Sequence, residues 1–191
     1  AKKMGSKYAV MTNSGSSANL LAISCLTNPL AKNKLTNGDE VIIPAVCWST
    51  SLWPLIQNNL KPVFADVELD TFNLDLDKIE KKITKKTKAI MLVHVLGIST
   101  NMDRLKQIIN KHNLILIEDA CESLGASYNG KKLGTIGKFG TYSFYYSHQI
   151  TSGEGGMVVC DDINDYNILK SLRSHGWSRN TTFHKKLSKK F

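Results

Sequence analysis

Thr87-Lys-Ala-Ile-Met-Leu-Val-His-Val95 and Leu114-Ile-Leu-Ile-Glu-Asp119 stand on either side of Met102–His112 in this chain of 191 residues. Both flanking runs are apolar throughout rather than alternating. That is the pattern of strands covered on both faces. Met102–His112 between them reads as a helix. Strand, helix and strand in succession form the repeating unit of a parallel sheet. The same alternation extends in both directions. Tyr8–Thr12, Glu40–Pro44 and Pro62–Asp66 read as strands upstream. Leu20–Leu26, residues 50–59 (broken early by Pro54) and Leu76–Ile83 read as the helices between them. Downstream, Tyr142–Tyr146 and Met157–Val159 read as strands and Asp165–Ser174 as a helix. The fold class is therefore α/β, a mostly parallel sheet flanked by helices. No internal repeat or low-complexity linker divides it. Ligands of such sheets gather at the carboxyl ends of the strands.

Bulk properties narrow the function classes. Lys and Arg number 25 against 16 Asp and Glu, a net charge of +9. Much of the excess lies in Lys78–Lys88, which reads as a solvated helix face, and in the tail Lys185–Lys190. No aromatic–basic interleaving or reader motif accompanies the charge, so nucleic acid is not expected as a partner. An anionic small-molecule substrate accounts for it equally well. The four cysteines, Cys25, Cys47, Cys121 and Cys160, have no short spacing to one another. No metal site or disulfide framework is expected from them. Three sit in apolar or small-residue surroundings and read as buried thiols, which fits a reducing cytoplasm. No apolar run approaches the ~20 residues that span a bilayer, and no membrane partner is expected.

Four stretches could carry chemistry. Ser14-Gly15-Ser16-Ser17 joins a strand to a helix. Free amides and hydroxyls there favour an anion such as phosphate, and the same residues also read as a plain helix cap. Glu118-Asp119-Ala-Cys-Glu122 ends the most hydrophobic strand. A carboxylate there needs a partner: a protonated pyridine nitrogen, a salt bridge or a loop cap. Cys47-Trp48-Ser49-Thr50 follows another strand, and Trp48 reads either as a stacking surface for a planar ring or as a partly buried core residue. Finally, Ser143, Ser147 and His148 precede Gly153-Glu154-Gly155-Gly156, at a strand end where sites are commonly built. His148 alone would read as a turn residue, and the glycines as the tight return into Met157–Val159. Phosphate, pyridinium and ring stacking together suggest pyridoxal 5'-phosphate or pyridoxamine 5'-phosphate.

The motifs Asn13-Ser-Gly-Ser-Ser-Ala, Glu118-Asp-Ala-Cys-Glu-Ser-Leu-Gly-Ala, Gly130-Lys-Lys-Leu-Gly-Thr-Ile-Gly and Ser143-Phe…Thr151-Ser-Gly-Glu-Gly-Gly occur in that order. From about Lys3 to Asn180 the chain resembles the sugar aminotransferases of the DegT/DnrJ/EryC1/StrS family, which have the aspartate aminotransferase fold (fold type I). The resemblance implies roles residue by residue. Gly15, Ser16, Ser17 and Ser143 would hold the cofactor phosphate. Trp48 would stack on the ring, Asp119 would pair with the pyridine nitrogen, and Glu122 would lie near the ring hydroxyl. Where the family carries the lysine that bonds to the cofactor, this sequence has His148. Imidazole is not a primary amine and cannot form that bond. Lys138 precedes the strand, in a turn, and does not substitute for it.

The departure at His148 resembles a small branch of the family, the sugar 3-dehydratases of deoxysugar biosynthesis. It implies a non-covalent cofactor and a catalytic His148 that moves protons during removal of the C3 hydroxyl from a nucleotide-linked 4-keto-6-deoxy sugar. L-glutamate would regenerate the pyridoxamine form. The resemblance further implies a homodimer and a smaller C-terminal domain beyond residues 1–191, with both ends cut from a longer protein. Rival readings are an aminotransferase, which His148 disfavours, and a cofactor-binding relic. An iron–sulfur-dependent dehydrase is a third, but it would need cysteines after Cys160, and there are none.

Overall fold

The computed structural model describes residues 1–179 and 181–184. Asn180, where the resemblance ends, and the basic tail Lys185–Lys190 lie outside the described residues. Within them, β1 (Tyr8–Thr12), α1 (Gly15–Thr27), β2 (Glu40–Pro44), α2 (Ser49–Gln57), β3 (Lys61–Ala65), α3 (Leu76–Ile79), β4 (Thr87–Val93), α4 (Met102–His112) and β5 (Ile115–Asp119) alternate along the chain. A two-stranded hairpin, β6 (Ser127–Tyr128) and β7 (Lys131–Lys132), follows, then β8 (Phe139–Ser143), β9 (Gly156–Cys160) and α5 (Ile163–Arg173). Seven strands form one sheet in the order β1-β9-β8-β5-β4-β2-β3. The pairs β8–β5, β5–β4, β4–β2 and β2–β3 are parallel, and β9 runs antiparallel to both its neighbours. The largely parallel sheet expected from the continuous apolar runs is present.

Successive residues of a strand point to opposite faces, and the two faces have different cores. Val41, Ile43, Ala89, Met91, Ile117, Phe139 and Val158 join Leu21, Ala22, Leu26, Leu55 and Ile168, and so bury α1, α2 and α5 on one side. Ile42, Ile90, Leu92 and Leu116 join Leu76, Ile79, Met102, Leu105 and Ile108, burying α3 and α4 on the other. Each apolar strand serves both cores, which is why its sequence does not alternate.

Several boundaries differ from the sequence reading, each for a tertiary reason. α1 begins at Gly15, five residues before Leu20, because Ser14 caps it through the Ser17 amide and Gly15, Ala18 and Asn19 are buried. Pro54 does not break α2 but sits inside it. Proline has no N–H to donate to the Thr50 carbonyl four residues back, and Asn19 Nδ2 donates to that carbonyl instead at 3.3 Å. Leu76–Ile83 is not one helix: α3 gives way to a 3-10 turn at Glu80–Lys82. The strand read to Tyr146 ends at Ser143, because Tyr145 and Tyr146 are exposed. The β6–β7 hairpin turns on Asn129 and Gly130, both at positive φ, as two-residue hairpins of this kind require.

Candidate active site

The carboxyl ends of the parallel strands and the amino end of α1 open on one cleft of about 490 Å³. Gly15, Ser16, Trp48, Asp119, Glu122, Ser143 and His148 all line it. Seven of the eight residues singled out in the sequence therefore meet in one place, although they are spread over more than 130 positions. Ser17 lies apart. Its amide is bound to Ser14 Oγ at 3.1 Å, and it lines a neighbouring open hollow with Met11, Leu20 and Arg173.

The amino end of α1 is shaped for an anion. Ser14 satisfies the Ser17 amide, and the amides of Gly15 and Ser16 have no acceptor within the helix. They carry the positive end of the helix dipole. Gly15 packs so closely on β8 that a Cβ there would lie 2.6 Å from Ser143 Cβ and 2.9 Å from Cys121 Sγ. That contact sets the Ser143 hydroxyl beside the helix end.

Glu118 and Asp119 are adjacent in β5 and so point to opposite faces. Their roles divide accordingly. Glu118 is fully buried and accepts from the amides of Gly134 (2.9 Å), Ile136 (2.7 Å) and Gly137 (2.5 Å), with His94 Nε2 at 2.9 Å. It is the loop cap of the alternatives above. Asp119, on the α1 face, is 5% exposed. Its Oδ2 accepts from Ser51 Oγ at 2.7 Å and Asn19 Nδ2 at 2.8 Å, and its Oδ1 from the Cys121 amide at 3.1 Å. Every partner is a donor, which suits an ionised carboxylate. Burial, followed by the Asp119 charge, pushes the Cys121 thiol well up. Cys47 is raised for the same two reasons in the same order.

The remaining residues stand at the rim. Trp48 is 73% exposed, so it is not a partly buried core tryptophan; its indole is available at the cleft. Glu122 Oε2 accepts from the Leu96 amide at 3.0 Å. His148 lies on the loop after β8, five residues beyond the strand end. Its amide donates to the Tyr145 carbonyl at 3.1 Å, and its ring meets the Tyr145 ring edge-on at 6.4 Å. No lysine lines the cleft among the described residues. Lys138 is at the opposite end of β8, ion-paired with Asp165. The cysteine expectation is corrected. Cys25 and Cys160 are buried, while Cys47 and Cys121 are only half-buried beside the cleft.

The DegT/DnrJ/EryC1/StrS aminotransferase family matches residues 1–191. The chain belongs to that family. Family members of known structure share its fold. Over 180 residues it is 48% identical to the GDP-4-keto-6-deoxy-D-mannose 3-dehydratase of Escherichia coli O55:H7, covering 94% of this chain and 46% of that protein. A GDP-4-keto-6-deoxymannose-3-dehydratase solved with a trapped PLP-glutamate geminal diamine superposes with TM-score 0.90 at 48% identity, over 94% of this chain and 46% of the other. A His-to-Asn variant with bound GDP-perosamine superposes at 0.88 and 47% identity, with the same coverage. The chain thus spans about half the length of the relatives it matches. Asn19, Ser51, Thr141 and Tyr145 escaped the sequence reading.

Proposed function

We propose that this chain is the cofactor-binding large domain of a pyridoxamine phosphate-dependent 3-dehydratase acting on a nucleotide-linked 4-keto-6-deoxy sugar. The observation that carries the reading is a cleft holding His148 and a buried Asp119 but no lysine. The residues fit the group. The cradle at Gly15, which a Cβ would fill, and the free amides of α1 suit a phosphate. The donor-ringed Asp119 suits a cationic ring nitrogen. When bound, pyridoxamine phosphate supplies an amine that condenses with a sugar ketone and a conjugated ring that takes up electron density.

The chain's own residues supply the rest. Gly15, Ser16 and Ser143 hold the phosphate, with Ser17 supporting the cap that shapes the helix end. Trp48 would cover the ring face, and Glu122 would stand near the ring hydroxyl. Asp119 would pair with the ring nitrogen and keep it protonated. His148 would carry a proton between the cofactor methylene carbon and the departing C3 oxygen, which is general acid–base work suited to imidazole. With no amine at position 148, the cofactor is held without a covalent bond, and L-glutamate restores its amine form. The relatives solved with PLP-glutamate and with GDP-perosamine support glutamate and a GDP-linked sugar as partners. The E. coli relative supports GDP-4-keto-6-deoxymannose as substrate, in a route such as that to colitose. We place the protein in the cytoplasm as a homodimer; no helix among the described residues is long and apolar enough to cross a membrane.

Incubation of the protein with L-glutamate and GDP-4-keto-6-deoxymannose tests the reading. The expected products are ammonia, 2-oxoglutarate and a 3-deoxy-4-keto sugar in equal amounts, all lost in His148→Asn. An amino sugar without ammonia would mean transamination, and no product would mean a non-catalytic binder. Either result overturns the proposal.

A further inference from the structure

Three polar side chains around Asp119 have no part in the roles above. Asn19 comes from α1 and is 1% exposed, Ser51 comes from α2 and is fully buried, and Thr141 comes from β8 and is fully buried. Together they form one connected chain of hydrogen bonds. Thr141 Oγ1 donates to Asn19 Oδ1 at 2.6 Å. Asn19 Nδ2 donates to Asp119 Oδ2 at 2.8 Å and to the Thr50 carbonyl at 3.3 Å. Ser51 Oγ donates to the same Asp119 oxygen at 2.7 Å.

The donor–acceptor pattern admits one orientation of the Asn19 amide. Reversed, its oxygen would face both Asp119 Oδ2 and the Thr50 carbonyl, three acceptors together without a proton. The Thr50 carbonyl is free to receive the amide because Pro54, four residues on, has no N–H. The proline inside α2 therefore has a use: it leaves an acceptor that locks a side chain of the neighbouring helix. An ionised carboxylate has about four acceptor positions. Ser51 and Asn19 fill both on Oδ2, and the Cys121 amide fills one on Oδ1. These three bonds leave one acceptor position on Oδ1, with the Cys121 thiol beside the carboxylate.

We infer that Asn19, oriented by Thr141 and the Thr50 carbonyl, and Ser51 are positioning residues. They hold Asp119 in one orientation, with one fixed acceptor position for the protonated ring nitrogen of the cofactor. The inference rests on the reading of Asp119 proposed above. Two donors on Oδ2 fix the plane of the carboxylate and so the direction of its free position on Oδ1. A fixed anion beside the ring nitrogen in turn favours the pyridinium. Removing either donor frees the carboxylate to turn; Ser51 also lines the cleft, whereas Asn19 reaches it only through Asp119.

The test uses the chain loaded with pyridoxal phosphate labelled with 15N in the ring, comparing the unaltered protein with Asn19→Leu and Ser51→Ala. The nitrogen resonance reports ring protonation directly, a readout that packing of α1 on α2 would not move. In the unaltered protein the resonance is expected at the pyridinium position. In each variant it is expected to move toward neutral pyridine, with cofactor affinity falling roughly tenfold, the equivalent of one lost hydrogen bond to a charged group. Ser51→Ala leaves α1 untouched and carries the test by itself if Asn19→Leu does not fold. Variants that fold, with resonance and affinity unchanged, overturn the positioning role and leave the Asp119 reading standing. A neutral ring nitrogen in the unaltered protein, or no saturable binding to it, overturns both.

Discussion

Gly15 shows how much of the cleft depends on single atoms. Its α-hydrogen faces Ser143 Cβ and Cys121 Sγ, and neither is the end of a long, flexible side chain. Gly15→Ala must therefore push the amino end of α1 away from β8. The expected cost is about 1–3 kcal/mol of stability. Pyridoxal phosphate affinity should fall by more than tenfold, because the amides that face the anion move with the helix. Denaturant unfolding and fluorescence titration measure the two effects. At this scale the sequence was an uneven guide. Asp119 and His148 stood out because a strand end is where an unusual residue is noticed. Asn19 and Ser51 did not, because a small polar residue on a helix looks the same whether it meets solvent or a buried carboxylate. Only the family resemblance separated Asp119 from Glu118 in the sequence; the physical difference is that β5 turns them to opposite faces.

At the scale of the element, the strands were legible and their ends were not. Continuous apolar runs such as Leu114–Ile117 can only be strands packed on both faces, and β4, β5 and α4 lie within two residues of their sequence reading. The amino end of α1 was hidden because Gly15, Ser16 and Ser17 have weak helix propensity. Contact with Ser143 and the Ser14 cap decide it. The end of β8 was hidden because Phe144-Tyr145-Tyr146 has strand composition but no partner strand. α5 allows a prediction of its own. Asp162 caps it, accepting from the amides of Asn164 at 2.6 Å and Asp165 at 3.3 Å, and pairs with Lys32 at 3.0 Å. Lys32, then those amides, hold the Asp162 carboxyl below its ordinary value against an opposing effect of burial. A lowered native pKa contributes stability above the ordinary carboxylate range, near ~4, and loses it as pH falls through the native value. Asp162→Ala should therefore cost about 1 kcal/mol at pH 7. The gap to the unaltered protein should close as the pH falls below that range, measured as unfolding free energy against pH.

Across the whole molecule, the sheet order brings distant segments to one edge. β5 and β8 are adjacent, and β9 joins β8 to β1, so Asp119, Ser143 and the start of α1 converge although they are far apart in sequence. The motifs signalled a common site but not its arrangement, which depends on strand order. The cofactor relation at position 148 is the central claim. It is tested by adding pyridoxal phosphate, reducing with borohydride and mapping any modified residue by mass spectrometry. The unaltered protein should carry no pyridoxyl group, while His148→Lys should carry one, at position 148. A pyridoxyl group on a lysine of the unaltered protein, or none at position 148 in the variant, would contradict the account.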